Sequence, residues 1–313
     1  MSRGDLYGGL AFVSLAAIAP LLPIWLVSLA TVAFANALVV LGLIILWRAG
    51  LVPFGQALFY AIGAYCVALL ARYAGVRDVF LMILAAAGAA GFVAWLLGFL
   101  LARYRDIFFA MLSLAMSMIL YGVLVKTETL GSTDGFHVEA GTFLSYRPHG
   151  DILDLALFWL VLGTCAVAAL LVAAYLRTLA GALAVPVRDN EIRLEFLGVS
   201  VNRLIHVKLV ISGILAGVGG ALAALVIGHV DPSMAYWTTS GGFVFVTILA
   251  GAGSVAGAFV ASLIFELVRS IAVTLLPGTW QMILGSVLLL TILFVPEGLS
   301  SVWQHFRRRE KTS

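Results

Sequence analysis

Charge is what this sequence has least of. Only 11% of its 313 residues are Asp, Glu, Lys or Arg, against roughly 25% in soluble domains. Lysine occurs only as Lys126, Lys208 and Lys311. None of them sits in a Gly-rich phosphate loop, so the chain lacks a nucleotide-hydrolysing motif of its own. The two cysteines, Cys66 and Cys165, fall inside apolar runs, where neither a disulfide framework nor a thiolate metal site is suggested. His137, His149, His206, His229 and His305 are scattered without metal-ligand spacing, and no Ser occupies a nucleophile elbow. The net charge of +3 is no nucleic-acid footprint, because the positive residues collect at the ends of apolar runs. No catalytic, cofactor-binding or metal-binding residue is therefore expected in this chain.

What the chain has in abundance is apolar length. Hydrophobic residues make up 63% of it and the mean hydropathy is +1.13. At about 20 residues per crossing, this predicts an all-α polytopic membrane protein of eight to ten spans, lying in the lipid bilayer with hardly any room for a soluble domain. The runs fall at about Leu6–Ile24, Leu26–Trp47, Pro53–Arg72, Phe80–Ala102, Phe108–Val125, Ile152–Leu176 and Val207–Gly228. Beyond them come a short run at Gly241–Ala250, then Ala256–Leu276 and Trp280–Val295. The third run contains Gly55 and Gly63 with Gln56, Tyr60 and Tyr65, and is expected to be broken or to line part of a cavity. The seventh carries Gly213, Gly217 and Gly220 on a small-residue face that lets helices approach closely.

Arginine placement orients the runs. Arg103 and Arg105, then Arg177, Arg188, Arg193 and Arg203, mark one side as cytoplasmic. The Gly-rich, acidic loop 127–151 falls on the opposite side. With Arg307-Arg308-Arg309 also inside, the reading is about ten transmembrane helices with both termini cytoplasmic, in a single membrane domain 1–313. The short eighth segment spans or re-enters. No clear internal repeat is visible.

One charged island interrupts the apolar sequence, Arg188 to Gly198 inside the cytoplasmic segment 177–206. Asp189 and Arg193 have the spacing of a helical ion pair with the acid leading, while Ile192 with Phe196 and Leu194 with Leu197 supply apolar contacts. Pro186 suits a first helical turn and Gly198 the left-handed residue past its end, so a short amphipathic helix is expected. It could lie on lipid, but three carboxylates favour a protein partner over an anionic membrane surface. Within the spans, Glu266 and Arg269 form the intramembrane charge pair, a candidate for a solute pathway or a neutralised structural pair near the outer interface. Gln56, Tyr60 and Tyr65 could touch a polar solute or simply pack between helices.

The run Arg188-Asp189-Asn190-Glu191-Ile192-Arg193, with Glu195 and Leu197-Gly198-Val199 and the small-residue span from Ile211 to Leu222, resembles the membrane subunits of branched-chain amino acid ABC importers, the LivM type. Gly55-Gln56-Ala57, Ile62-Gly63-Ala64-Tyr65, Phe108 to Ala115, Gly131-Ser132-Thr133-Asp134-Gly135 and Pro296-Glu297-Gly298-Leu299 are similar in the same order, so that the likeness covers roughly Asn36 to Leu299. The resemblance implies a permease without its own ATP site, in a bacterial cytoplasmic (inner) membrane. It implies as partners a second, LivH-like permease, two cytoplasmic ATPases that use the ATP, and an extracytoplasmic solute-binding protein. Arg188, Asp189, Asn190, Glu191, Arg193, Glu195 and Gly198 would then form the coupling helix docked on an ATPase, and Ser132, Asp134, Gly135 and Asp231 would face the binding protein.

Departures leave the cargo open. The family usually has His where this chain has Gln56, and Gly-Arg where it has Gly181-Ala182. Related importers carry urea, amides, other amino acids, and aromatic or dicarboxylic acids. The rival from the residues alone is an ion-coupled secondary transporter acting without an ATPase, which calls for unwound helices and paired charges at the membrane midplane and an inverted repeat. A membrane enzyme has no catalytic cluster to support it.

Overall fold

The computed structural model describes residues 23–139, 141–143, 146, 150–251, 255–275 and 278–294. Seven helices are long and apolar enough to cross a membrane: α1 Ile24–Trp47, α2 Gln56–Tyr73, α3 Val79–Leu101, α4 Asp106–Lys126, α5 Asp151–Arg177, α9 Val201–Ile227 and α11 Val255–Leu275. Between α5 and α9 lie three short helices, α6 Leu179–Ala182, α7 Ala184–Asp189 and α8 Glu191–Phe196. Two shorter apolar helices complete the set, α10 Trp237–Ala250 and α12 Trp280–Phe294. The predicted first span at 6–24, as far as residue 22, and the C-terminal arginines lie outside the described residues, and the turn expected at 251–254 does so beyond Gly251. The fold is that of a multi-pass α-helical membrane protein.

Helix α9 is the axis of the bundle, and its composition explains why. It packs along α1, α2 and α3, and its glycines sit where those helices come closest. A side chain at Gly217 would strike Ala90 of α3, and one at Gly63 of α2 would strike the Gly217 backbone. Contacts of Gly219 with Ala35 and of Gly42 with Ser212 set α1 and α9 antiparallel. In a lipid setting no hydrophobic drive pulls helices together, so close backbone approach and its dispersion contacts hold this centre. The expected small-residue face is thus the core of the molecule.

The third run is not one span. Residues 48–55 are non-helical, yet Ala49, Leu51, Pro53 and Gly55 are buried, and α2 begins only at Gln56. Its first turn lies at mid-depth: Phe54 N–H donates to Ser113 Oγ of α4 at 3.1 Å, and Gln56 Nε2 donates to Ser212 Oγ of α9 at 2.6 Å. From the other end, His229–Val230 (β2) pairs antiparallel with Phe136–His137 (β1), and a 3-10 turn at Pro232–Ala235 leads into α10. This turn is also deep, because Ser117 Oγ donates to Ala235 O at 2.8 Å. The two helix starts meet where Ala57 N–H donates to Ser240 Oγ of α10 at 3.0 Å. Non-helical backbone is tolerated at such depth because it is enclosed by protein and its polar groups are met by serines.

The order of long helix, non-helical stretch, helix starting at mid-depth and two further helices therefore occurs twice, as α1–α4 and as α9–α12, with the stretches coming in from opposite ends. The sequence shows no clear repeat, but this topology is one. At 14 residues, α10 is about 21 Å long, so it crosses only in combination with the stretch before it.

Candidate functional site

The charged island is folded differently from the expected single amphipathic helix. It is part of α6, α7 and α8, broken at Asn190, whose backbone is extended (φ −165°, ψ 95°). The Asn190 side chain accepts from Arg193 N–H at 3.0 Å and so starts α8, the favoured use of Asn at a helix N-terminus. With the break between them, Asp189 and Arg193 do not share a helix, and Asp189 pairs instead with its neighbour Arg188 at 3.8 Å. Pro186 falls in the first turn of α7, and Gly198 does adopt the left-handed backbone past the end of α8 (φ +83°).

Three anchors hold this segment against the membrane helices, and none was legible as such in the sequence. Arg105, in the α3–α4 turn, donates from Nε to Glu191 Oε2 at 2.7 Å, from Nη2 to Asn202 Oδ1 of α9 at 2.8 Å, and from Nη1 to Ala102 O. Lys208 of α9, fully buried, donates to Ala180 O of α6 at 2.9 Å and lies over the Tyr175 ring. The stem of Arg188 covers Gly50, whose added Cβ would meet Arg188 Cγ at 2.8 Å. Ala184, Val187 and Leu194 point inward and are buried.

The opposite side of the segment is exposed. Phe196 is 89% exposed, Leu179, Ile192 and Leu197 are also open, and Arg193, Glu195 and Asp189 lie among them. An apolar group this large, ringed by both signs of charge on a polar connection, has the composition of a protein-docking face.

Among the pathway candidates, Gln56 is 0% exposed and held by Ser212, with Oε1 buried and unpartnered. Tyr60 packs on Phe243 with ring centroids 5.1 Å apart, and Tyr65 on Phe136 at 5.9 Å, its hydroxyl buried and unpartnered. Gln56 and Tyr60 belong to the packed interior of this conformation, whereas Tyr65, with Ala61, Ile62 and Cys66 of the same helix, lines an apolar cavity of about 650 Å³, as expected of part of the third run. Glu266 and Arg269 do approach each other, at 3.4 Å. Glu266 lies mid-way along α11, deeper than the outer-interface position expected.

At the other end, Asp134 is exposed while Ser132 and Gly135 are half-buried. Ser132 Oγ donates to Val125 O at 2.9 Å, and Gly135 packs on the Val230 carbonyl of β2. Asp231 Oδ1 accepts from Ser233 N–H at 2.7 Å, capping the 3-10 turn. The loop is thus tied to the deep stretch leading into α10. Among the described residues no group of His, Cys, Asp or Glu is placed to hold a metal ion.

The model of the family described as branched-chain amino acid transport system / permease component matches residues 25–293. The chain belongs to this family of branched-chain amino acid ABC permeases. It is similar to the high-affinity branched-chain amino acid transport system permease protein LivM of Escherichia coli (strain K12), 29% identical over 300 residues, or 87% of this chain and 69% of that protein. It is similar also to the LivM protein of Salmonella typhimurium, 29% identical over 302 residues with the same shares. No solved structure matches. Family membership bears on the topology described above: deep helix breaks and an inverted element order, which the secondary-transporter reading requires, occur here in a permease component of an ABC transporter.

Proposed function

We propose that this permease is one of two membrane subunits of an ATP-driven importer for branched-chain amino acids, in the bacterial inner membrane. The observation that carries this reading is the α6–α8 face. Phe196, Ile192 and Leu197 stand out among Arg188, Asp189, Asn190, Arg193 and Glu195, on a segment fixed from behind by Arg105 and Lys208. Such a face is of use where a second protein pushes on it, and the chain shows no phosphate loop with which to use ATP itself. The coupling segment is 177–206 and the outer loop 127–151, within one membrane domain of about ten spans with both termini cytoplasmic, as the arginine distribution supports. Two ATPases would supply ATP turnover and a second, LivH-like permease the other half of the passage. A binding protein would dock near Ser132, Asp134, Gly135 and Asp231. No cofactor is assigned to this chain.

Movement at the paired helix starts of α2 and α10 would open the interior near Gln56, Tyr60 and Tyr65 and hand the solute on past Glu266 and Arg269. Cargo of the related systems, urea, amides, aromatic or dicarboxylic acids, is the alternative set. The deep breaks in α2 and α10 favour a second reading, ion-coupled transport without an ATPase. Gentle extraction of a tagged chain from its native membrane, followed by mass spectrometry, separates the two. Recovery of ATPases and a second permease, with the ATPases lost on Phe196→Asp, is expected. A chain that comes out alone and moves solute in vesicles without ATP would establish the second reading.

A further inference from the structure

The seam between α1 and α11 holds polar side chains whose bonding capacity the bundle leaves unused. Phe259, Ser262, Glu266 and Arg269 recur at helical three- and four-residue spacing on one face of α11. Phe259 sets that face against α1, its ring centroid 6.1 Å from that of Phe34. Close by on α1, the Asn36 side chain faces the Glu266 carboxylate. Asn36 Oδ1 is buried without a partner, and so is Ser262 Oγ, on a side chain only 2% exposed. Buried polar atoms are nearly always paired, because leaving one unpaired is costly.

The ion pair beside these atoms is long and partly open. Arg269 Nη1 reaches Glu266 Oε1 only at 3.4 Å, its side chain is 46% exposed, and Glu266 retains 15% exposure. The Arg269 guanidinium also lies over the Trp280 ring, 5.9 Å from its centroid, and its exposed part calls for water, a partner or a solute rather than acyl chains.

We propose that this seam receives the charged head of a zwitterionic α-amino acid, an inference that rests on the permease reading and names the part of the cargo recognised. An ammonium group brings three N–H donors and a positive charge. Glu266 offers the matching carboxylate, and Asn36 Oδ1 and Ser262 Oγ offer the two neutral acceptors. Arg269, one turn further along, faces the α-carboxylate and can hold it through two parallel N–H donors. The solute's two charges exchange with the long Glu266–Arg269 pair, so no charge is left uncompensated while the solute is bound.

The test uses the assembled transporter in proteoliposomes, with its binding protein saturating, and L-leucine, L-valine, urea and succinate as probes. Glu266→Gln and Arg269→Gln are each expected to lower leucine uptake at least tenfold. Glu266→Asp and Arg269→Lys should restore part of it. The double replacement Asn36→Leu, Ser262→Ala, which leaves the Glu266–Arg269 pair in place, should lower leucine uptake per assembled complex. A purely structural seam would instead reduce the amount of complex and leave uptake per complex unchanged, which overturns the proposal. So does wild-type uptake in either Gln variant, or a wild-type complex that carries urea or succinate but no α-amino acid. Absence of any ATPase from the wild-type preparation is a different failure, that of the permease reading.

Discussion

Replacing Glu191 by Ala separates the anchoring of the 177–206 segment from its stability. In the structure the Glu191 carboxylate takes a 2.7 Å bond from Arg105 Nε, with the two side chains 38% and 24% exposed. A pair this open is worth about 0.2–1 kcal/mol. Arg105 keeps its bonds to Ala102 O, Tyr104 O and Asn202 Oδ1 in the variant, so no cation is stranded. Global stability should therefore fall by no more than about 1 kcal/mol, and insertion and yield should be normal. The mechanical effect is larger, because this bond is the side-chain tie between α8 and the α3–α4 turn. Without it, a push on α8 is taken up by motion of α8 itself. Substrate-stimulated ATP hydrolysis and uptake should fall together in proteoliposomes while ATPase subunits still co-purify. The exchanged pair, Arg105→Glu with Glu191→Arg, should recover part of the loss although it gives up the Asn202 bond. Full uptake by Glu191→Ala would refute the reasoning, and so would a loss of uptake that merely follows a loss of expressed protein.

Other perturbations have similarly specific outcomes. Gly63→Val should abolish a folded bundle, since its Cβ would meet the Gly217 backbone, whereas Gly241→Ala, with nothing within 4 Å of its Cβ, should be silent in detergent thermal unfolding. Gly198→Ala faces open space but a φ of +83°, so it should cost about 1–2 kcal/mol and lower the Tm without touching any neighbour. Lys208→Met should insert and fold, because removing a buried charge offsets the lost bond to Ala180 O. Proteolysis of the 177–206 segment should nonetheless become faster. Phe196→Asp should leave the bundle's Tm unchanged and remove ATPase binding, as expected for an 89% exposed side chain.

Hydropathy made the long helices legible, because a run of about 20 apolar residues leaves few alternatives. It could not show where α2 begins. Leu51-Val52-Pro53-Phe54 is as apolar as a span, and its non-helical path depends on Ser113 and Ser212, which lie far away in sequence. The inverted element order was hidden for a related reason: it is a matter of which end each stretch comes in from, and residue identity carries no trace of that. At the charged island the spacing of Asp189 and Arg193 suggested one helix, but Asn190 spends its side chain starting a new one. Lone polar residues in apolar runs, such as Asn36 and Lys208, give no periodic signal, and only the packing shows what each one faces. Gly198 was readable because a left-handed terminus is a local demand.

The contact of Arg188 with Gly50 has a consequence for how force could travel. Gly50 lies early in the non-helical stretch 48–55, whose last residue, Gly55, immediately precedes Gln56, bonded to Ser212 of α9. Five peptide links at about 3.3 Å each reach at most about 17 Å, roughly half the thickness of a hydrocarbon core. The exposed α6–α8 face and the buried junction of Gln56 with Ser212 are thus joined by one short length of backbone, which offers a direct path by which displacement at either end could reach the other.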